Sequence, residues 1–532
     1  MNKFTVFVAE KLHELGQEIL SNEATMIYET GLSPEQLVTR LQESEADALI
    51  VRSGTKVTEA LMNAVPSLKV VGRAGTGVDN IDLKAATARG IIVVNAPTGN
   101  SLAAAEHAIA LMAALARNIP QADAAMRRGE WDRHRFIGTA LTGKTLGIVA
   151  MGRVGTEVAR RAKGLGMTVV AHDPYYPAER AAALGVPLID LDALWAQSDF
   201  ITLHAPLTDG TRHLINTENL AKMKAGVFII NDARGGLIDD QALAEALESG
   251  HVAGAALDVF AVEPPQADDP LLGRDNVITT PHLGASTTEA QLDVAREVTE
   301  SVLGALRGET VGSTVNAPLV APELMEALRP FMGLAESLAR VAVQLAPRGS
   351  DHLTVTYRGL PAKHDNRPLR AAIIKGLIEP ISTARINLVN AELVAKARGL
   401  KITEIKEAAE EGRRDAITIR VGDDQATEVQ GALLRGQPHI VRIGDYWIDL
   451  ELRGHMLLCR NSDRPGMIGQ VGTLLGTEQV NISFMQVGRD APRGTAVMAI
   501  GLDELPPERL VHEIAALPDI SEAHVISLNG AA

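Results

Sequence analysis

The chain has 532 residues, 46% of them hydrophobic and only 3% aromatic, with a formal charge of −15; that length holds roughly three to four domains at about 150 residues each. The composition is that of an Ala-, Val- and Leu-rich α/β protein and excludes a disordered or disulfide-framed one. The acidic balance argues against nucleic acid as a partner, since phosphate-backbone binding needs clustered Lys and Arg, and a single cysteine, Cys459, excludes internal disulfides and fits a reducing compartment.

The first residues, MNKFTVFVAE, read as a strand and lack the apolar core and cleavage site of a signal peptide. No uncharged apolar run reaches the roughly 18 residues of a membrane span, so a cytoplasmic protein without membrane partners is expected. Short apolar strands then alternate with amphipathic helical stretches: TVFVAE, ALIVRS, KVVGRA, IIVVNA, TLGIVAM, TVVAHD, FITLHAP, VFIINDA, AALDVF and NVITTP. Uninterrupted apolar runs of this kind predict buried parallel strands, and the alternation predicts a doubly wound α/β architecture. Ten such strands are too many for one sheet. They divide near NAPTGNS (95–101), and a second NAP at 316–318 marks another seam.

Beyond that seam the pattern changes. PELMEALRPFMGLAESLARVAVQL reads as a helix, and LTVTYRG, AITIRV and HIVRIGDYWIDL as strands of a mixed α+β domain. The last eighty or so residues run strand, helix, strand, strand, helix, strand, a split-βαβ layout. Cys459 falls in the strand HMLLCR and reads as a small buried hydrophobe.

The stretch TLGIVAMGRVG (145–155) resembles a dinucleotide-binding turn. Gly152 and Gly155 hold its second and third glycine positions, where a missing side chain lets the backbone approach a pyrophosphate and the helix pack on its strand. Ala150 stands at the first position and is tolerable there if its φ stays negative. The next strand ends in Asp173, whose carboxylate suits a ribose 2′-hydroxyl and repels a 2′-phosphate; Pro174 and Tyr175 follow in place of an arginine, so NAD is favoured over NADP.

Three further stretches carry chemistry. NDARGGLID places Arg234 among glycines after a strand, where a guanidinium fork suits a substrate carboxylate. LDVFAVEPP places Glu263, and TTPHLGAST places His282, each in a loop after a strand. A histidine oriented by a carboxylate moves one proton near neutral pH, the requirement of hydride transfer from a hydroxyl-bearing carbon. No metal is expected.

With GRAGTGVDNID (72–82), GAALDVF and PHLGAST, these motifs resemble the D-2-hydroxyacid dehydrogenases over residues 45–290. DRPGMIGQVGTLLG and NISFMQVGR resemble an ACT regulatory domain, and ISTARINLVNAELVAKARGLKITE resembles the intervening domain of the long-form phosphoglycerate dehydrogenases within that family. The resemblance implies two Rossmann-like lobes: an NAD-binding domain (98–282) inserted in a substrate lobe (1–97 and 283–317). An intervening regulatory domain (318–452) and an ACT-like domain (453–532) would follow. It implies catalysis by Arg234, Glu263 and His282. Substrate contacts would come from Arg52, Ser53, Gly75, Asn100, Arg234 and His282, with Arg133 and Arg135 reaching the substrate phosphate of a neighbouring subunit. Cofactor contacts would come from Thr76, Gly152, Arg153, Val154, Gly155, Asp173, Ala205, Asp232, Ala233, Arg234, Asp258, His282, Leu283, Gly284 and Ala285.

The implied reaction is NAD-dependent oxidation of 3-phospho-D-glycerate, the first step of phosphorylated L-serine biosynthesis. L-serine is the implied effector, held between paired domains by Asn461, Asp463 and Asn481 in a homo-oligomer, a dimer or tetramer. A reductase of an unphosphorylated 2-keto acid such as glyoxylate or hydroxypyruvate is the alternative; a non-catalytic NAD sensor has no need of Arg234, Glu263 and His282 together. Two residues depart from the family pattern: Ala150, and Asp232, whose negative charge is expected near the nicotinamide end or as a turn cap.

Overall fold

A computed structural model describes residues 3–309, 311–317, 322–347, 349–382, 385–408, 415–423 and 426–528. They group into two compact units, one formed by residues 1–56, 70–80 and 94–313, the other by 57–69, 81–93 and 314–532. All ten strands expected before residue 281 form. The seam expected at 316–318 runs into residues 318–321, which lie outside the described residues.

The first sheet contains β1 (Thr5–Val8), β2 (Thr25–Tyr28), β3 (Ala48–Val51), β4 (Val70–Arg73) and β5 (Ile92–Asn95), in the order β2-β1-β3-β4-β5. This is the order of a flavodoxin-like wound sheet. β2 is the strand that sequence reading missed: TMIY is an exposed edge with no continuous apolar run to announce it.

The second sheet contains β6 (Thr145–Val149), β7 (Thr168–His172), β8 (Phe200–Leu203), β9 (Val227–Asn231), β10 (Val252–Leu257) and β11 (Val277–Thr279), ordered β11-β10-β9-β8-β6-β7, every recorded pairing parallel. A single parallel bridge from Leu188 to Ala171 adds a third segment beyond β7. The strand order then reverses beside β6, the point where such sheets open a crevice at their carboxyl ends. Apolar side chains on both faces, including fully buried Trp195, Phe200 and Ile230, make the sheet a two-sided core. That placement explains why its strands read as unbroken apolar runs.

The other unit carries a six-stranded mixed sheet: β12 (His352–Arg358), β13 (Lys401–Glu407), β14 (Ala416–Val421), β15 (Thr427–Leu434), β16 (Gln437–Ile443) and β17 (Tyr446–Glu451), ordered β13-β12-β14-β15-β16-β17. Only β12 and β13 pair in parallel. β13, an exposed charged edge, and β15 were not legible as strands. The last sheet contains β18 (His455–Ser462), β19 (Ile482–Arg489), β20 (Thr495–Leu502) and β21 (Ile520–Ser527), antiparallel in the order β19-β20-β18-β21, with the helices Met467–Thr477 and Glu508–Ala515 completing the expected split-βαβ unit.

One hydrophobic core runs from the helix Pro322–Leu345 through β12, β14 and β17 to Met456, Leu458, Val497, Ala499 and Ile526. Residues 57–69 and 81–93 are tied to the same unit by hydrogen bonds from Arg385 to Leu68 O (2.7 Å) and from Asn387 to Gly90 O (2.7 Å). Among the described residues no single helix is long and apolar enough to cross a membrane.

Candidate active site

The crevice beside β6 is built by the turn 150–155. Nothing lies within 4 Å of where a Cβ on Gly152 would project, so the turn keeps an open face ahead of the helix Arg153–Gly164, whose first amides have no side-chain cap. A helix start of this kind is a ready anion site. Gly155 is obligatory for another reason: a Cβ there would lie 2.2 Å from Ala150 O.

Asp173, just past β7, accepts Met151 N–H (2.8 Å) on one oxygen and Tyr175 N–H (2.8 Å) and Tyr176 N–H (3.1 Å) on the other. Its carboxylate is thereby fixed against the turn. These features fit a dinucleotide: open backbone at the pyrophosphate position and an oriented acid for the ribose. Ala205, Ala233, Arg153 and Val154 lie on the same carboxyl-end loops or the helix start.

Ala150 corrects the sequence expectation. Its φ is 73°, in the left-handed region, not negative. Its N–H bonds His172 O, and that strand-to-strand register forces the turn. An L-residue there costs about 1–2 kcal/mol, partly offset by the smaller unfolded-state entropy of Ala, about 0.4–1 kcal/mol. Ala150→Gly is therefore expected to stabilise the protein by about 0.5–1 kcal/mol. Urea denaturation measures it, and an unchanged midpoint would show that the strain no more than matches the entropic advantage of alanine.

A second concavity of about 400 Å³ gathers Arg52, Ser53, Gly75, Thr76, Asn100, Arg234, Glu263, His282 and Ala285. These sequence-selected residues thus share one cavity, although they are scattered over more than 200 positions. His282 Nδ1 lies 2.8 Å from Glu263 Oε2, and both side chains are partly exposed. Burial raises the Glu263 pKa, but the His282 hydrogen bond and charge outweigh it, holding the carboxyl below its ordinary value. His282 has φ 55°. Such strain costs on the order of 1–3 kcal/mol, and the chain around it is over-determined: fully buried Asp258 accepts Leu283 N–H (2.7 Å), Gly284 N–H (2.8 Å) and Thr280 Oγ1–H (2.5 Å). Burial would raise the Asp258 pKa; hydrogen bonds from His107, Asp232, Thr280 and Leu283 hold it well below the usual carboxylate range.

Arg234 is placed by buried Asn231, which donates to Arg234 O (2.9 Å) and accepts Ala233 N–H (3.2 Å). Its guanidinium donates to Asp79 (2.8 Å) and Ala233 O (2.6 Å). Gly77 makes room for it, since a Cβ there would fall 1.8 Å from Arg234 Nη2.

Several residues in this region escaped sequence reading. Arg73 lines the cavity with a buried Nε that has no partner among the described residues. Burial, then the positive charges of Arg234 and Arg52, pull its pKa down to about 10. Its signal was present, an arginine after a strand among glycines, as with Arg234. Lys11 and His13 also line the wall. Glu10 accepts the N–H groups of Arg52 (2.9 Å), Gly54 (3.3 Å) and Thr55 (2.8 Å), while Asn80 donates to Arg52 O (2.8 Å) and Thr55 O (2.6 Å). Together they fix the Arg52–Ser53 loop from both backbone polarities.

Asp232 also departs from expectation. Burial, followed by the nearby Asp258, pushes its pKa up to about 9, so it carries no charge at neutral pH. Arg133 and Arg135 do not line the cavity.

In the last sheet, Asn461 is buried with Oδ1 unpartnered among the described residues, and Asp463 accepts Arg489 (3.2 Å) and Arg493 N–H (2.9 Å). Asn481 donates to Asp503 (2.5 Å). The register pairs Asn461 with Ala496 and Ile482 with Leu502, which places Asn481 at the opposite end of β20. One copy of the chain therefore does not bring the three residues together.

Comparison with known proteins accords with this geometry. The NAD-binding domain of D-isomer specific 2-hydroxyacid dehydrogenases matches residues 109–284, the D-3-phosphoglycerate dehydrogenase intervening domain 327–444, and the ACT domain 455–519. D-3-phosphoglycerate dehydrogenase 2, chloroplastic, of Arabidopsis thaliana is 49% identical over 97% of this chain and 86% of its own. D-3-phosphoglycerate dehydrogenase of Methanocaldococcus jannaschii is 45% identical over 98% and 99%. D-lactate dehydrogenase from Aquifex aeolicus, solved with NAD and lactic acid, superposes with a TM-score of 0.54 at 28% identity, covering 59% of this chain and all of that one. The chain is an NAD-dependent enzyme and belongs to the D-3-phosphoglycerate dehydrogenase family of D-isomer-specific 2-hydroxyacid dehydrogenases.

Proposed function

We propose that this enzyme oxidises 3-phospho-D-glycerate to 3-phosphohydroxypyruvate as the entry to L-serine synthesis, and that L-serine inhibits it through the C-terminal sheet. The observation that carries the substrate is the convergence of Arg52, Arg73 and Arg234 in one cavity with the His282–Glu263 pair. A 2-hydroxy acid needs one cation for its carboxylate; a phosphorylated one needs more, and Arg73 brings a guanidinium whose buried Nε has no partner among the described residues. Relatives bearing that activity in their names, 45–49% identical over nearly the whole chain, support the same reading.

Arg234 holds the α-carboxylate, and Arg52, Ser53 and Arg73 take the phosphate. Glu263 fixes the ring of His282 through Nδ1, leaving Nε2 to accept the substrate hydroxyl proton. NAD, held by the 150–155 turn, Asp173, Thr76, Ala205, Ala233, Asp258 and residues 282–285, supplies the hydride acceptor when bound. Asn461 and Asp463 of one copy with Asn481 of a second would form the serine site, so regulation requires an oligomer.

The deciding assay offers the full chain 3-phospho-D-glycerate and D-glycerate with NAD, and hydroxypyruvate and glyoxylate with NADH, each with and without L-serine. Phosphoglycerate oxidation suppressed by serine is the expected result, with Asp463→Ala insensitive to serine at unchanged turnover. Preference for an unphosphorylated acid would hand the site to the reductase reading. For the cofactor, Asp173→Ala is expected to weaken NAD and narrow the margin over NADP as repulsion of the 2′-phosphate is lost. Dissociation constants for both nucleotides test this; a wild type that binds NADP more tightly refutes it.

A further inference from the structure

Asp232 follows the buried strand β9 in a position from which an anion has no support. Its Oδ2 is buried without a hydrogen-bond partner among the described residues. Its Oδ1 packs on Gly284, where a Cβ would lie 2.6 Å away. The helix Ser101–Ala116 presents His107 and the chain after β10 presents Asp258, both close to it, and Thr280, after β11, bonds to these two. Its own loop carries Arg234, but that guanidinium is engaged by Asp79 and Ala233 O.

The polar atoms of His107, Asp232 and Asp258 lie within 4.8 Å of one another. His107 Nε2 stands 3.2 Å from Asp258 Oδ1, the oxygen that also receives Thr280 and Leu283 N–H. Donors therefore crowd Asp258 and are missing at Asp232. Two carboxyl groups in contact, one saturated with donors and the other bare, hold a single proton between them, and it resides on the bare one.

We propose that Asp232 carries this shared proton and that its neutral carboxyl, donating to Asp258, positions the clamp on Leu283 and Gly284 and so holds the His282–Ala285 segment for the cofactor. Asp232 is thus a positioning residue, acting through Asp258. The proposal rests on the reading that residues 282–285 contact NAD. When the proton leaves to solvent, two adjacent anions repel, Asp258 is pulled off the amide pair, and the left-handed backbone at His282 loses its restraint. A side chain without an ionisable group at position 232 would have no such titration.

The test pairs infrared spectroscopy of the full-length apo protein with NADH binding by fluorescence across pH 6 to 10.5. In the wild type a protonated-carboxyl stretch is expected at neutral pH, vanishing as pH rises through about 9. The NADH dissociation constant is expected to rise over the same interval, by up to about tenfold per pH unit. Asp232→Asn, whose amide donates at every pH, should lack the band and keep flat, tight binding; Asp232→Ala should bind weakly throughout. A wild type without the band, or an alkaline loss of affinity that survives in Asp232→Asn, overturns the proposal. Should the Asn variant fail to fold, the wild-type band and its midpoint decide alone. NADH binding absent at all pH values would instead defeat the cofactor-site reading.

Discussion

His282→Ala is expected to lower turnover of the hydroxy acid by about 10²-fold or more, the scale of a lost general base, while NADH binds nearly as before. The two readouts separate because the imidazole and the clamp around it are different structures. Asp258 grips the backbone of Leu283 and Gly284, and His282 N–H bonds Asp258 O, so the segment is held by main-chain contacts that alanine retains. Only the ring, fixed by Glu263, is removed. Alanine also faces a positive φ at this position, so part of any loss of stability belongs to the backbone, and His282→Asn, which tolerates that region, is the control. Turnover near the wild-type value in both variants would exclude the ring from proton transfer.

Removing the Arg73 fork is expected to have the second largest effect. A charge-assisted hydrogen bond to a phosphate is worth roughly 1.5–3 kcal/mol, which is about 10- to 150-fold in kcat/KM. Arg73→Ala should therefore raise KM for 3-phospho-D-glycerate within that range and change D-glycerate oxidation little. The contrast between the two substrates is the measurement. Equal losses on both would mean that Arg73 only props up Arg234, its neighbour through the crowding at Gly75 and Gly77. Arg73→Lys should recover charge without the fork and fall between.

The grouping of Arg234, Glu263 and His282 in one cavity was legible because each follows a strand in a wound sheet, and the carboxyl ends of such strands converge. The ten parallel strands and the last βαββαβ unit were legible for a related reason: buried strands leave strong apolar patterns. Glu10, Asp79 and His107 were not. Each acts on a residue far away in sequence, Glu10 across 42 to 45 positions and His107 across more than 150, and no local pattern encodes that meeting. The φ of Ala150 was misjudged because the turn obeys the β6–β7 register before it obeys side-chain preference. β2 and β13 were overlooked because edge strands are half solvent and lose the apolar signal. Asn461 and Asn481 lie at opposite ends of β20 in one copy, so the resemblance that grouped them between paired domains calls for a second chain.

The shared core beneath β12, β14, β17 and β18 has a bearing on protein engineering. Deregulated variants are often sought by deleting a sensor module at a linker. Here a cut before residue 453 would strand Met456, Leu458, Val497, Ala499 and Ile526 away from the apolar side chains they cover, and a cut near 317 would strip the Arg385 and Asn387 hydrogen bonds from the loops at Leu68 and Gly90. The smallest transplantable C-terminal module is therefore the whole span from the helix Pro322–Leu345 to β21, together with recipient loops cut to fit it. The proposed serine response is better probed by point changes at Asp463 than by amputation.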